Sequence, residues 1–163
     1  MFSFMRTGPL LALLALVLGG CQMSQNGSRF TRAQVAVLTS EGFAETQRGW
    51  EFSINDRLLF DTDESAVLPD QSARIRRVAE RLLAVGIRRA AVEGHADDTG
   101  SAEHNQRLSE RRAATVAQVL VSAGFTATGV STAGLGERFP IEDNGTTAGR
   151  RENRRVVILI AAP

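Results

Sequence analysis

Asp97, Asn105, Leu108, Ser109 and Arg112 are the residues whose types and spacing suggest chemistry. Positions 105, 108, 109 and 112 stand i, i+3, i+4 and i+7 apart, so in an α-helix they share one face. Ala90-Ala91-Val92 reads as the end of a buried strand, Gly94 to Gly100 as a turn holding Asp97, and the helix opens after Ser101. A carboxylate at a strand end, a helix N-terminus with unpaired N–H groups and a guanidinium two turns along make a pocket with separated charges of both signs. Such a pocket suits a zwitterion: Asp97 takes an ammonium, while Arg112 and the helix N–H groups take a carboxylate.

Several elements must place these groups. Phe52, Ile54, Leu58, Leu59 and Phe60 predict a first strand with a turn at Asn55-Asp56. Pro69 opens a helix at a permitted first-turn position, with Ile75, Val78, Ala79 and Leu82 as its apolar stripe up to Gly86. Ile87 to Glu93 predicts the second strand, and the helix bearing Arg112 continues through Val116, Val119 and Leu120 to Gly124. A third strand is expected near 129–134, and a turn with a helix cap at 144–147. The last strand, 156–161, is apolar on both faces, as a central strand covered on at least one side would be. The order argues an α/β sandwich: a mixed four-stranded sheet with helices packed mainly on one face.

Two stretches carry a family resemblance. Gly94-His95-Ala96-Asp97-Asp98-Thr99-Gly100, followed by N-x-x-L-S-x-x-R-A from Asn105, closely resembles the core motif of OmpA-like peptidoglycan-binding domains, present also in the peptidoglycan-associated lipoprotein. G-R-x-x-N-R-R-V from Gly149 matches a second signature. Phe60-Asp61-Thr62-Asp63 resembles the family's F-D-x-x loop, and Gly136 to Pro140 its G-x-G-x-x-x-P connection. The resemblance implies an OmpA C-terminal-like fold and a ligand that is the free amino acid end of diaminopimelate in a peptidoglycan stem peptide. The implied binding residues are Phe60, Asp61, Asp97, Asn105, Leu108, Arg112 and Arg154. On residue chemistry alone, Arg154 serves equally well as a structural salt-bridge partner. The chain departs from the motif at Ala96, usually Thr, and at Asp98, often Asn.

The N-terminus predicts export. Arg6 precedes an unbroken apolar run from Leu10 to Leu18, and Leu18-Gly19-Gly20-Cys21 follows. The run is too short to span a bilayer as a mature helix and has the flanks of a secretory signal. The small residues before Cys21 resemble a bacterial lipobox, which implies cleavage after residue 20, acylation of Cys21 and stable membrane attachment. Gln22 stands where an inner-membrane retention signal would have Asp, which favours the outer membrane. Cys21 is the single cysteine, so no internal disulfide can form. The expected division is signal 1–20, tether 21–30, a helical segment 31–50 and one domain 51–163.

Composition and motif exclude other classes. Formal charge is +1, and acidic residues are interleaved among the arginine pairs, so no basic patch for nucleic acid emerges. No His/Cys spacing suits a metal, and Asp61, Asp63 and Glu64 lack the glycine and distal glutamate of a calcium loop. No nucleophile elbow or spaced carboxylate pair marks an enzyme, and no cofactor is expected.

The segment 31–50 is more structured than a linker needs to be. Thr31 and Gln34 fit a capping box, and Gly42 fits the left-handed residue that ends the helix, which would bring Leu38 against Phe43. A helix this short must pack on the domain or on a partner. Val35, Leu38, Phe43 and Trp50 either cover the edge of the core or form a movable docking surface. The run from Ala33 to Asp70 resembles signalling lipoproteins of this family, which capture a periplasmic repressor and free an inner-membrane diguanylate cyclase. That implies a repressor as partner; self-pairing into a homodimer is a further option.

Overall fold

The computed structural model describes residues 30–60 and 67–162, so Cys21, the expected signal and tether, and Asp61, Asp63 and Glu64 lie outside the described residues. Helix α1 (Arg32–Ser40) comes first, followed by strands β1 (Ala44–Thr46) and β2 (Gly49–Asn55) and a single helical turn, α2 (Asp56–Leu59). Helix α3 (Pro69–Ala84), β3 (Ala90–Gly94), α4 (Ala102–Ser122), β4 (Val130–Gly134), α5 (Thr147–Asn153) and β5 (Arg155–Ile160) complete it. The strands form one sheet in the order β1-β2-β5-β3-β4, antiparallel except for β3 beside β4.

Strand alternation decides where the core sits. Trp50, Phe52 and Ile54 of β2, Ala90 and Val92 of β3, and Val156, Ile158 and Ile160 of β5 point to one face. There they join Ile75, Val78 and Leu82 of α3 and Ala113, Val116 and Leu120 of α4 in one apolar cluster. Among the described residues, the helices that pack on the sheet, α3 and α4, lie on the core face. Arg48 reaches across the opposite face, pairing with Glu51 of β2 at 3.0 Å and Glu93 of β3 at 2.6 Å, and Val157 between them is buried.

The sheet has one strand more than the sequence predicts. β1 is three exposed residues, Ala44-Glu45-Thr46, with no apolar alternation to reveal it; it forms through a two-residue turn that pairs Thr46 with Gly49. The hairpin crosses the expected boundary at residue 50. A second difference concerns 58–60, expected as strand, where Leu58 and Leu59 fall in α2. Asn55 caps α2 by accepting from the Arg57 N–H at 3.2 Å, and the Asp56 N–H donates to the Arg154 carbonyl at 3.0 Å, so the strand ends at Asn55 and the chain turns helical.

Helix α1 forms as its end signals require. Thr31 and Gln34 make a reciprocal capping box, and the Phe43 N–H donates to Leu38 and the Gly42 N–H to Thr39, with Gly42 at φ +87°. Leu38 is fully buried, and Phe43 stacks on Phe52 with ring centroids 5.2 Å apart. Gln34 donates to the Val85 carbonyl, and Glu41 pairs with Arg81 at 2.7 Å, fastening α1 to α3.

Helix α4 lies hard against β3. A Cβ on Gly94 would stand 2.0 Å from the Ser109 carbonyl oxygen, so only glycine permits this approach. The close contact brings the N-terminal half of α4 over the strand end that carries Asp97.

Candidate functional site

Three strand ends and one helix face meet at one site: the ends of β3 and β2, the start of β5 and one face of α4. β3 leads into Ala96 and Asp97, Asp56 follows β2 as the first residue of α2, Arg154 lies between α5 and β5, and α4 supplies Asn105, Leu108 and Arg112. With Arg57, Phe60, Thr99 and His104 they line a cavity of about 680 Å³. The predicted face of α4 is confirmed in detail: Asn105, Leu108, Ser109 and Arg112 are all buried.

The charges alternate. Arg112 donates to Asp56 Oδ2 at 3.2 Å, and Arg154 Nε approaches the same oxygen at 3.2 Å, while Arg154 Nη1 donates to Asp97 Oδ2. Arg112 also lies over the Phe60 ring, 5.0 Å from its centroid. Asp97 accepts from the Thr99 N–H at 2.9 Å through its other oxygen. Burial pushes the Asp97 carboxyl up, but the Thr99 N–H and the Arg154 guanidinium outweigh it and hold the group below the usual carboxylate range. Asp97 is therefore an anion at neutral pH. Asp56 goes the other way: burial outweighs the attraction of Arg112 and Arg154 and raises it, and its Oδ1 is buried without a hydrogen bond.

Accessibility divides the two guanidiniums. The Arg112 side chain is 6% exposed and the Arg154 side chain 24%, so a ligand entering the cavity meets Arg154 first. The N-terminus of α4 borders the cavity at His104, where Ser101 Oγ already takes the His104 N–H at 3.2 Å. The arrangement sets two carboxylates and two guanidiniums within one partly desolvated recess, a receptor for a group carrying both an ammonium and a carboxylate.

Of the residues expected to bind, Phe60, Asp97, Asn105, Leu108, Arg112 and Arg154 line this cavity together, and Asp61 lies outside the described residues. Ala96 lines the cavity as well, whereas Asp98 faces solvent. Val35 is half-buried, and Leu38, Phe43 and Trp50 belong to the core, so in this conformation they form no exposed docking surface. Arg57 and His104 also line the cavity, and Asp56, Thr99 and Glu137 make polar contacts to its predicted residues. The sequence predicts only a turn at Asp56, a loop at Thr99 and a connection at Glu137, which accepts from Asn105 at 2.6 Å. Asp56 alone left a signal, because Asn-Asp after an apolar alternation is a helix start as readily as a turn.

His95 lies beneath the opposite face, 4% exposed, with Glu93 at 4.0 Å from its Nε2. Burial, then the charges of Arg155 and Arg48, lower its pKa to about 4, so it is neutral at physiological pH. It lies outside the lining of the cavity.

Residues 59–154 match the OmpA family. The chain is 43% identical to the outer-membrane lipoprotein YfiB of Pseudomonas aeruginosa over 93% of its own length and 92% of that protein's. It is 36% identical to the putative lipoprotein YfiB of Escherichia coli, over 94% and 95% respectively. Among solved structures, the cell wall anchor of the T6SS from Pseudomonas aeruginosa superposes with a TM-score of 0.66 at 25% identity, over 81% of this chain and 96% of that one. With its signature residues gathered in one cavity and relatives aligned over nearly its whole length, this chain belongs to the OmpA family.

Proposed function

We propose that this protein is a lipid-anchored outer-membrane lipoprotein that binds peptidoglycan by the free amino acid end of diaminopimelate in the stem peptide. The supporting observation is the alternation of Arg112, Asp56, Arg154 and Asp97 around a single cavity. Asp97 receives the ammonium; Arg154 and Arg112 receive the carboxylate; Leu108 and Phe60 supply apolar walls for the methylene chain between. No bond is made or broken. Asp97→Asn keeps shape and removes the charge, and truncating one side of a buried charge pair costs about 2–5 kcal/mol, or roughly thirtyfold and more in affinity. Co-sedimentation with purified sacculi is expected to fall accordingly while the melting transition stays cooperative. Undiminished sedimentation would overturn the reading.

A second reading extends the first: the segment 31–50 captures a periplasmic repressor of the YfiR type and so relieves an inner-membrane diguanylate cyclase. The alignment with the YfiB relatives covers 93–94% of this chain and so takes in that segment, which the family match at 59–154 leaves out. A purely passive anchor is the competing account, and the burial of Leu38, Phe43 and Trp50 fits it in the conformation described. Capture then requires α1 to leave the domain. Exposing Leu38 and Phe43 costs roughly 1.5–3 kcal/mol each, so the released form is below about 1% of molecules until a partner stabilises it. Release also sets reach: the chain from Cys21 to Trp50, fully extended, spans about 100 Å. A purified YfiR-type repressor that binds the full chain, but not a chain lacking residues 22–49, supports capture. Equal binding, or none, leaves the anchor account.

A further inference from the structure

Asn105 is 3% exposed, and its amide orientation is fixed by chemistry. Nδ2 donates to the Asp97 carbonyl oxygen at 3.0 Å and to Glu137 Oε2 at 2.6 Å. Both partners can only accept, so turning the amide over would set Oδ1 against two oxygens. Among the described residues Oδ1 accepts no hydrogen bond, and Asn105 lines the cavity beside Asp97. That oxygen is an acceptor open to a hydrogen-bond donor in the cavity. Glu137 is outside the lining of the cavity and is well anchored: Gly136 N–H donates to Ser109 Oγ at 3.0 Å, Leu135 N–H to the Gly94 carbonyl at 2.8 Å, and Ala96 N–H to the Gly136 carbonyl at 2.9 Å.

We propose that Glu137 is a positioning residue for ligand recognition: it holds the Asn105 carboxamide with Oδ1 toward the cavity, so that an ammonium seated on Asp97 gains a second, neutral acceptor. The proposal rests on the ammonium-and-carboxylate reading of the site and specifies which side of the ligand Glu137 serves. Without Glu137, Asn105 keeps only the Asp97 carbonyl and its amide can rotate, and the loss falls on ligands that bring an ammonium. The carboxylate end, at Arg154 and Arg112, is untouched.

Titration calorimetry on the purified full chain, with diaminopimelate and with pimelate as probes, separates the two ends, because pimelate has the same carbon chain and both carboxylates but no ammonium. A hydrogen bond to a charged group predicts about a tenfold loss of diaminopimelate affinity in Glu137→Met, with pimelate changed less than about twofold. In an Asn105→Ala background the same substitution is expected to add nothing. Equal weakening of both probes, an additive loss in that background, or no loss at all overturns the positioning role. If Asp97→Asn leaves diaminopimelate binding intact, it is the reading of the cavity that fails, and the Glu137 proposal falls with it.

Discussion

Asp97 and Arg112 could be placed in one pocket from the sequence because each is set by local rules: one ends an apolar strand, the other recurs with helical period from Asn105. Asp56 could not, since it reaches Arg112 across 56 positions of sequence and only the closing of β2 on β5 brings them together. The same non-local closure buries His95 among Glu93, Arg48 and Arg155. Its pKa is lowered to about 4 from 6.5, so between those values the unfolded chain binds more protons than the folded one. Its contribution is full above pH 6.5 and is lost as pH falls toward 4, to an extent of at most roughly 3 kcal/mol. Asp56, whose pKa is raised by burial, acts with the opposite sign. Denaturant melts of the wild type and His95→Gln across pH 7 to 4 isolate the histidine: the wild type is expected to lose stability steadily, and the variant to show a flatter profile. Parallel profiles would show that His95 titrates normally.

Among the elements, α1 was readable to the residue, because its capping box and its left-handed glycine are local devices with fixed offsets. The end of β2 was misread for a matching reason. Leu58, Leu59 and Phe60 have strand-like side chains, but the cap from Asn55 and the bond from Asp56 to the Arg154 carbonyl override that preference. β1 has no apolar pattern and exists only because β2 offers it an edge. Whether α1 is a fixed cover or a releasable one is testable at Gly42. At φ +87° a β-branched side chain is strained by about 1–2 kcal/mol, so Gly42→Val weakens closure and raises the released population roughly tenfold. Hydrogen exchange is expected to show faster opening of 32–43 with β2, β3 and β5 unchanged, together with tighter binding of a YfiR-type repressor. Faster opening without tighter binding would favour the passive cover.

At the scale of the whole molecule, the sandwich and its mixed sheet were legible from the succession of elements, while strand order was not, because pairing of β5 between β2 and β3 joins the chain's last element to its first ones. The resulting layout is polar. Asp97, Asp56 and Arg154 stand where β3 and β2 end and β5 begins. Phe30 and Ala162 stand at the other end of the sheet, together with Ile87 to Ala91 at the start of β3.

Tension therefore has a defined path. A pull on Phe30 against a ligand held at Asp97 runs along the strands, and the β2–β5 hydrogen bonds, which lie across that direction, carry it in shear and must yield together. Before they are loaded, the force meets α1, held by Leu38, the Gln34–Val85 hydrogen bond and the Glu41–Arg81 ion pair, and then Phe43 and the three-residue β1. In single-molecule pulling between residues 30 and 97, the first event is expected to be a low-force lengthening of about 65 Å as residues 30–49 come free, with a second, much stronger barrier at β2. Arranged in series this way, the described residues form a mechanical fuse: tension between Phe30 and a ligand held at Asp97 uncovers α1 long before it breaks the β2–β5 ladder.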